Sequence, residues 1–160
     1  MPTKTYNPKR VVFNVASQQI TGFSDQDMIN VQLDEDLFTK YIGVDATISR
    51  TQNPSTTGFF EVSLAQTSPS NTFLSQLAQA DRASGDGSAT FPVALRDESS
   101  EGTVLLGTNC WVTAMPDAAF GKEIGSNVWK LDAETIYWMI TGTGDSLVSK
   151  VLNEFSDVLN

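Results

Sequence analysis

Histidine is absent from the 160 residues. With it go the Ser-His-Asp and Cys-His pairs, the imidazole general base and the imidazole metal ligand. Carboxylate chemistry survives this test, either as glycoside hydrolysis or as an oxygen-ligand cation site. Asp97, Glu98 and Glu101 could supply a carboxylate pair, but they sit in a Ser-rich turn where solvated charge is the default. Asp34-Glu35-Asp36 could hold a hard cation, yet it lacks the spaced pattern of an EF-hand loop and reads as a solvated acidic turn. Gly142-Thr143-Gly144 stands before a helical pattern, as an anion-binding helix N-terminus requires, but Asp145 would oppose an anion. Gly85-Asp86-Gly87 lacks the strand and the Lys-Ser/Thr of a phosphate loop. Cys110, the only cysteine, cannot form an internal disulfide, and no histidine is present to activate it. It is expected to be a buried small hydrophobe. Trp111, Trp129 and Trp138 could form a sugar platform, but each lies in a strand pattern, where core or interface packing is expected. The residues therefore point away from an enzyme, and no cofactor or metal is implied.

Composition narrows the class further. Hydrophobic content is 40 %, ordinary for a folded protein. A chain of this length buries roughly 68–70 % of its unfolded surface, enough for one domain over 1–160 without staples. No run approaches a membrane span of about 18 apolar residues. Met1-Pro2-Thr3-Lys4 is polar with no apolar stretch behind it, so synthesis and assembly are expected in the cytosol of the producing cell. Net charge is −9, from 19 acids against 10 bases. That opposes gripping nucleic acid phosphates, but not letting nucleic acid slide past.

The elements that must position these residues are mostly strands. Residues 1–9, with Pro2 and Pro8, read as an extended arm. Val11, Phe13 and Val15 alternate with polar or outward positions, and Gln18–Phe23 reads as their hairpin partner. Ile29, Val31 and Leu33 alternate cleanly with Asn30, Gln32 and Asp34; Phe60, Val62 and Leu64 alternate with Glu61 and Ser63. Between these two strands, 34–57 reads as a long β-hairpin arm, and equally as two strands of the main sheet with surface loops. Val44, Ala46 and Ile48 alternate there with Asp45 and Thr47.

Ser68 as N-cap, Pro69 at the first position and apolar Phe73, Leu74, Leu77 and Ala78 predict a helix over 69–82. Phe91–Leu95, Val104–Leu106, Cys110–Met115, Val128–Ala133 and Ile136–Ile140 read as further strands, the last apolar on both faces. Leu147, Val148, Val151, Leu152, Phe155 and Leu159 predict an amphipathic helix over 145–160. Nine or ten short strands with two helices imply an antiparallel β-sandwich or barrel.

Several pieces, taken in order, resemble the tail tube proteins of contractile-tailed bacteriophages. They are Thr5-Tyr6-Asn7-Pro8-Lys9, Ile20-Thr21-Gly22-Phe23-Ser24-Asp25, and Asp36-Leu37-Phe38-Thr39-Lys40-Tyr41-Ile42-Gly43-Val44-Asp45. Arg50-Thr51-Gln52-Asn53, Gln66-Thr67-Ser68-Pro69-Ser70-Asn71 and Phe120-Gly121-Lys122-Glu123-Ile124-Gly125 follow. The resemblance covers residues 5–132 and implies a β-sandwich-like barrel flanked by a helix, related in fold to the type VI secretion tube protein. It implies six-subunit rings, sheets joined edge to edge around a lumen, stacked into a tube inside a contractile sheath. Sheath, baseplate, tail terminator and tape measure proteins are then the expected partners. DNA would pass through the lumen without specific binding, and the negative charge suits such a lumen. The expected location is the virion, with no membrane insertion of the subunit.

In that family the long hairpin contacts the neighbouring ring. The resemblance therefore assigns Phe38, Tyr41 and Ile42 as apolar anchors and Asp36, Asp45 and Arg50 as polar partners. The competing readings are a type VI or other contractile-injection tube, a carbohydrate-binding β-sandwich using its tryptophans, and a carboxylate glycosidase.

Overall fold

The computed structural model describes residues 6–25, 28–98 and 103–140. The predicted helix over 145–160, residues 1–5 of the arm, Glu101 and Gly142-Thr143-Gly144 lie outside these residues. Among the described residues the chain is mainly β. Its strands are β1 (Val11–Val15), β2 (Gln18–Gln19), β3 (Ile29–Leu33), β4 (Phe38–Ile42), β5 (Ile48–Gln52) and β6 (Gly58–Ala65). One helix, α1 (Ser70–Ser84), precedes β7 (Phe91–Asp97), β8 (Thr103–Ala114) and β9 (Ser126–Met139). The chain divides into two compact units, with β8 and β9 each beginning in one and ending in the other.

The first unit contains residues up to Ile20, Pro92–Leu106 and the segment from Tyr137. Its strand order is β2-β1-β7-β8. β1 runs antiparallel to β7, with Phe13 opposite Leu95 and Val15 opposite Val93. Those four side chains, with Ile20 and Leu105, form its buried core. The β1–β2 turn uses Ala16 and Ser17, both at positive φ (50° and 72°), the backbone twist that a two-residue hairpin needs. Two expectations change here. Pro8–Arg10 closes a 3-10 turn capped by the Asn7 side chain instead of extending. The partner strand also ends after Gln19, and Phe23 instead bridges Leu64 in the second unit's own strands.

The second unit spans Thr21–Phe91 and Gly107–Ile136, with strand order β8-β9-β6-β3. β6 pairs with β3 on one side (Val31 opposite Phe60) and with β9 on the other (Val62 opposite Trp129). Period-two alternation holds throughout β6: Phe60, Val62 and Leu64 are buried, while Phe59, Glu61 and Ser63 are not. Leu74 and Ala78, one turn apart on α1, are buried with them.

The start of α1 explains its placement. Pro69 already has helical dihedrals, and the Ser68 hydroxyl accepts from the Ser70 N–H at 3.2 Å. Ser68 also donates to the Thr21 carbonyl, and the Ser70 hydroxyl accepts from the Thr21 N–H at 3.0 Å. Gly22 passes so close to Ser68 that a Cβ would lie 2.6 Å from its hydroxyl.

Nine strands form among the described residues, within the expected nine or ten, but two expected pairs merge. Val104–Leu106 and Cys110–Ala114, expected as two strands, belong to one, β8, which runs through Asn109 at a left-handed φ of 49°. Val128–Ala133 and Ile136–Met139 likewise form one strand, β9. Its buried positions step from Ala133 to Ile136, an odd interval that switches which parity faces inward.

Candidate assembly interface

Residues 34–57 contain a β-hairpin that forms a two-stranded sheet of its own, β4 with β5, separate from the seven-stranded sheet. Both strands are rich in β-branched and aromatic residues, which favour extended backbone. The connection is Gly43–Thr47. The Gly43 N–H donates to the Thr47 carbonyl (2.8 Å) and the Ala46 N–H to the Gly43 carbonyl (3.0 Å). Ala46 takes a φ of 66°, and the Asp45 carboxylate accepts from the Thr47 N–H at 3.1 Å. Hydrogen bonds from the Thr47 side chain and backbone hold the Asp45 carboxyl below its ordinary pKa. The expected alternation thus breaks down over Val44–Thr47, which belong to the turn, and the strand begins at Ile48.

At the root, Asn53 gathers the chain. Its N–H donates to the Leu37 carbonyl (2.9 Å), its amide nitrogen donates to Glu35, and its amide oxygen accepts from the Ser55 N–H (2.9 Å).

The register decides which side chains meet. Phe38 lies opposite Gln52, Lys40 opposite Arg50 and Ile42 opposite Ile48; these six share one face. Thr39, Tyr41, Ser49 and Thr51 share the other. The Arg50 guanidinium sits 4.3 Å above the Phe38 ring centroid, on that first face. Every residue of both strands is exposed, including Phe38 (44 %), Ile42 (57 %), Ile48 (67 %) and Tyr41 (68 %). A two-stranded hairpin without a covered face is marginal in water. This one carries several large apolar side chains with no cover among the described residues.

Of the residues singled out from sequence, Phe38, Ile42 and Arg50 are brought together. Tyr41 points to the opposite face, Asp45 is occupied in building the turn, and Asp36 stands exposed beside the root. Lys40 and Ile48 were missed as members of the first face, and Val44 as a wholly exposed apolar residue in the turn. The signal available was parity: with a five-residue turn closing at Gly43 and Thr47, Ile48 must face the same way as Ile42.

The rival sites fare differently. Trp129 is 1 % exposed and donates its indole N–H to the Asn71 side chain at 2.9 Å, so it presents no face to a sugar. Trp111 is half-buried and Cys110 is fully buried. A groove of about 360 Å³ beside α1 is lined by Asn71, Ser75, Trp129 and residues 115–120. Asp34, Glu35 and Asp36 are all exposed, and among the described residues no set of three carboxylate or cysteine side chains converges as a metal site would require.

The chain is similar to known proteins over most of its length. The family model described as bacteriophage PhiTE tail tube protein matches residues 13–141. Structural protein ORF10 of Pseudomonas phage KPP10 is 32 % identical over 133 residues, covering 79 % of this chain and 76 % of that protein. Among solved structures, a chain of the anti-feeding prophage cap, which terminates its tube, aligns with a TM-score of 0.58 at 10 % identity, over 88 % of this chain and 95 % of that one. A chain of the extended sheath–tube complex of an extracellular contractile injection system (PVC) aligns with a TM-score of 0.57 at 12 % identity, over 86 % and 93 %. At such identities the two structures establish a shared fold.

Proposed function

Because the chain belongs to the family of the bacteriophage PhiTE tail tube protein, we propose that it stacks as six-subunit rings into the inner tube of a contractile tail, through which DNA is delivered. It is a phage structural protein of the tail tube. In this reading its role is mechanical, without catalysis. A contractile sheath surrounds it and a terminator closes it, as the solved neighbours' own descriptions suggest by analogy. Baseplate, tape measure protein and DNA are its remaining partners, and assembly takes place in the host cytoplasm.

The observation that carries the proposal is the hairpin of 38–52. Its strands expose Phe38, Tyr41, Ile42 and Ile48 and stand apart from the seven-stranded sheet. Burying them against the next ring removes this apolar surface from water at roughly 25 cal/mol per Å². A head-to-tail contact of this kind repeats along a stack. Phe38, Tyr41 and Ile42 then anchor the ring-to-ring contact, with Asp36, Asp45 and Arg50 at its polar margin. The split of these residues between two faces requires the hairpin to be covered on both.

The test is deletion of residues 36–54, with a short Gly-Ser bridge in their place. The variant is expected to keep the β-sheet circular dichroism of the parent and to appear as single rings by electron microscopy. Long tubes from this variant would remove the hairpin from the stacking contact. Absence of rings from the full chain at every concentration would remove the tube proposal itself.

A tube of a non-phage contractile injection system is the second reading, since the solved neighbours come from such systems. The phage relative at 32 % identity favours the tail.

A further inference from the structure

Lys40 and Arg50 stand directly opposite each other on β4 and β5. Like charges at that position destabilise an antiparallel pair, so a partner that neutralises both would relieve the hairpin. Among the described residues neither cation has a carboxylate in ion-pair contact. Arg50 is instead held on the Phe38 ring, and Phe38, Ile42 and Ile48 frame the two charges with exposed apolar surface. The other face of the hairpin is uncharged, with Thr39, Tyr41, Ser49 and Thr51. The only acid between 38 and 52 is Asp45, already bonded to Thr47 in the turn.

The rest of the chain has the opposite character. Apart from Lys40 and Arg50 it carries 19 acids against 8 bases, the 10 of the whole chain less these two. Its densest exposed acidic run is Asp34-Glu35-Asp36, at the root of the same hairpin. Glu35 accepts from Asn53, and no cation is paired with Asp34 or Asp36 among the described residues. One subunit thus carries both halves of a complementary contact on one element, so a second copy of the chain can supply the partner of each half.

We propose that the Lys40–Arg50 face of one copy docks on the Asp34–Asp36 segment of a second copy, giving the stack an electrostatic lock. The inference rests on the reading of the hairpin as the stacking contact. It assigns the partner surface and explains why two bases sit together in an acidic chain. All four charged positions are exposed, so their exchange leaves the core of the subunit untouched.

The experiment uses the full chain, with tube length followed by light scattering and electron microscopy. Raising salt from about 0.1 M to about 1 M shortens the screening length from ~10 Å to ~3 Å, and wild-type tubes are expected to shorten with it. The Lys40→Glu/Arg50→Glu variant and the Asp34→Lys/Asp36→Lys variant are each expected to form rings but to need at least about tenfold more protein to stack, the factor that 1.4 kcal/mol of lost affinity produces. Combining the four exchanges in one chain restores the complementary pair and is expected to restore tubes at the wild-type concentration.

Stacking by Lys40→Ala/Arg50→Ala with unchanged concentration and salt dependence overturns the lock. So does failure of the combined exchange to rescue while its rings still form. In both cases loss of stacking on hairpin deletion keeps the reading of the hairpin intact. Tubes formed by the deletion variant overturn that reading itself.

Discussion

Replacement of Asn71 by Ala tests the join between α1 and the sheet of the second unit. The Asn71 amide nitrogen donates to the carbonyls of Ala65 (3.0 Å) and Ser68 (3.1 Å), and its amide oxygen accepts from the Trp129 indole N–H (2.9 Å). The two carbonyls lose little, since Ala65 also accepts from the Ser68 N–H and Ser68 from the Asn71 N–H. Trp129 is 1 % exposed, and its N–H loses this acceptor. A buried donor without a partner costs about 1–3 kcal/mol, and each lost net hydrogen bond about 0.5–1.5 kcal/mol. With the carbonyl bonds counted at the low end, the expected loss is about 3 kcal/mol.

For a chain of this size each kcal/mol moves Tm by roughly 2–4 °C, so Tm should fall by about 6–12 °C. The assay is thermal unfolding followed by tryptophan fluorescence, at a concentration below assembly so that mass action adds no stability. Trp129→Phe removes the donor, so Asn71→Ala should cost about 1–2 kcal/mol less in that background, a coupling that a double-mutant cycle measures. A loss below about 1 kcal/mol, or a cycle that closes additively, would show that water entering the adjacent groove replaces the amide and would refute the reasoning.

Two further outcomes follow from local geometry. A Cβ on Gly107 would lie 2.8 Å from both the Cys110 sulfur and the Phe60 ring, so Gly107→Ala should destabilise by about 1–3 kcal/mol through overpacking, measured by urea unfolding. The hydrogen bonds from Thr47 lower the Asp45 pKa, so this carboxylate's contribution to the turn is complete above its ordinary value of 3.8. That contribution is lost as pH falls through the lowered value. Thr47→Val should move the Asp45 titration, followed by carboxyl-carbon NMR, upward toward 3.8; an unmoved midpoint would exclude the side-chain bond as its main cause.

What the sequence determined by itself is local. The alternation of Phe60, Val62 and Leu64 is a property of one strand with a wet face and a dry one, and the structure buries those residues. The same holds for Phe13 with Val15 and for Phe91, Val93 and Leu95. The helix was legible for a similar reason: Ser68, Pro69 and the apolar spacing at 73, 74, 77 and 78 act within a few turns, and α1 spans Ser70–Ser84. The absence of histidine excludes imidazole chemistry whatever the fold.

Only the tertiary structure decided continuity and facing. Nothing near Asn109 distinguishes a turn from a kink until neighbouring strands supply hydrogen bonds on both sides, and there β8 runs on. The interval from Ala133 to Ile136 reads as a break between two strands, yet β9 passes through it. The hairpin shows the same limit where it bears on function. Phe38, Tyr41 and Ile42 look alike in the sequence. Side chains alternate across a strand, so the register set by the Gly43–Thr47 turn sends Tyr41 to one face and Phe38, Ile42, Lys40 and Arg50 to the other. Residue type makes a strand, but pairing with another strand decides which surface that strand presents.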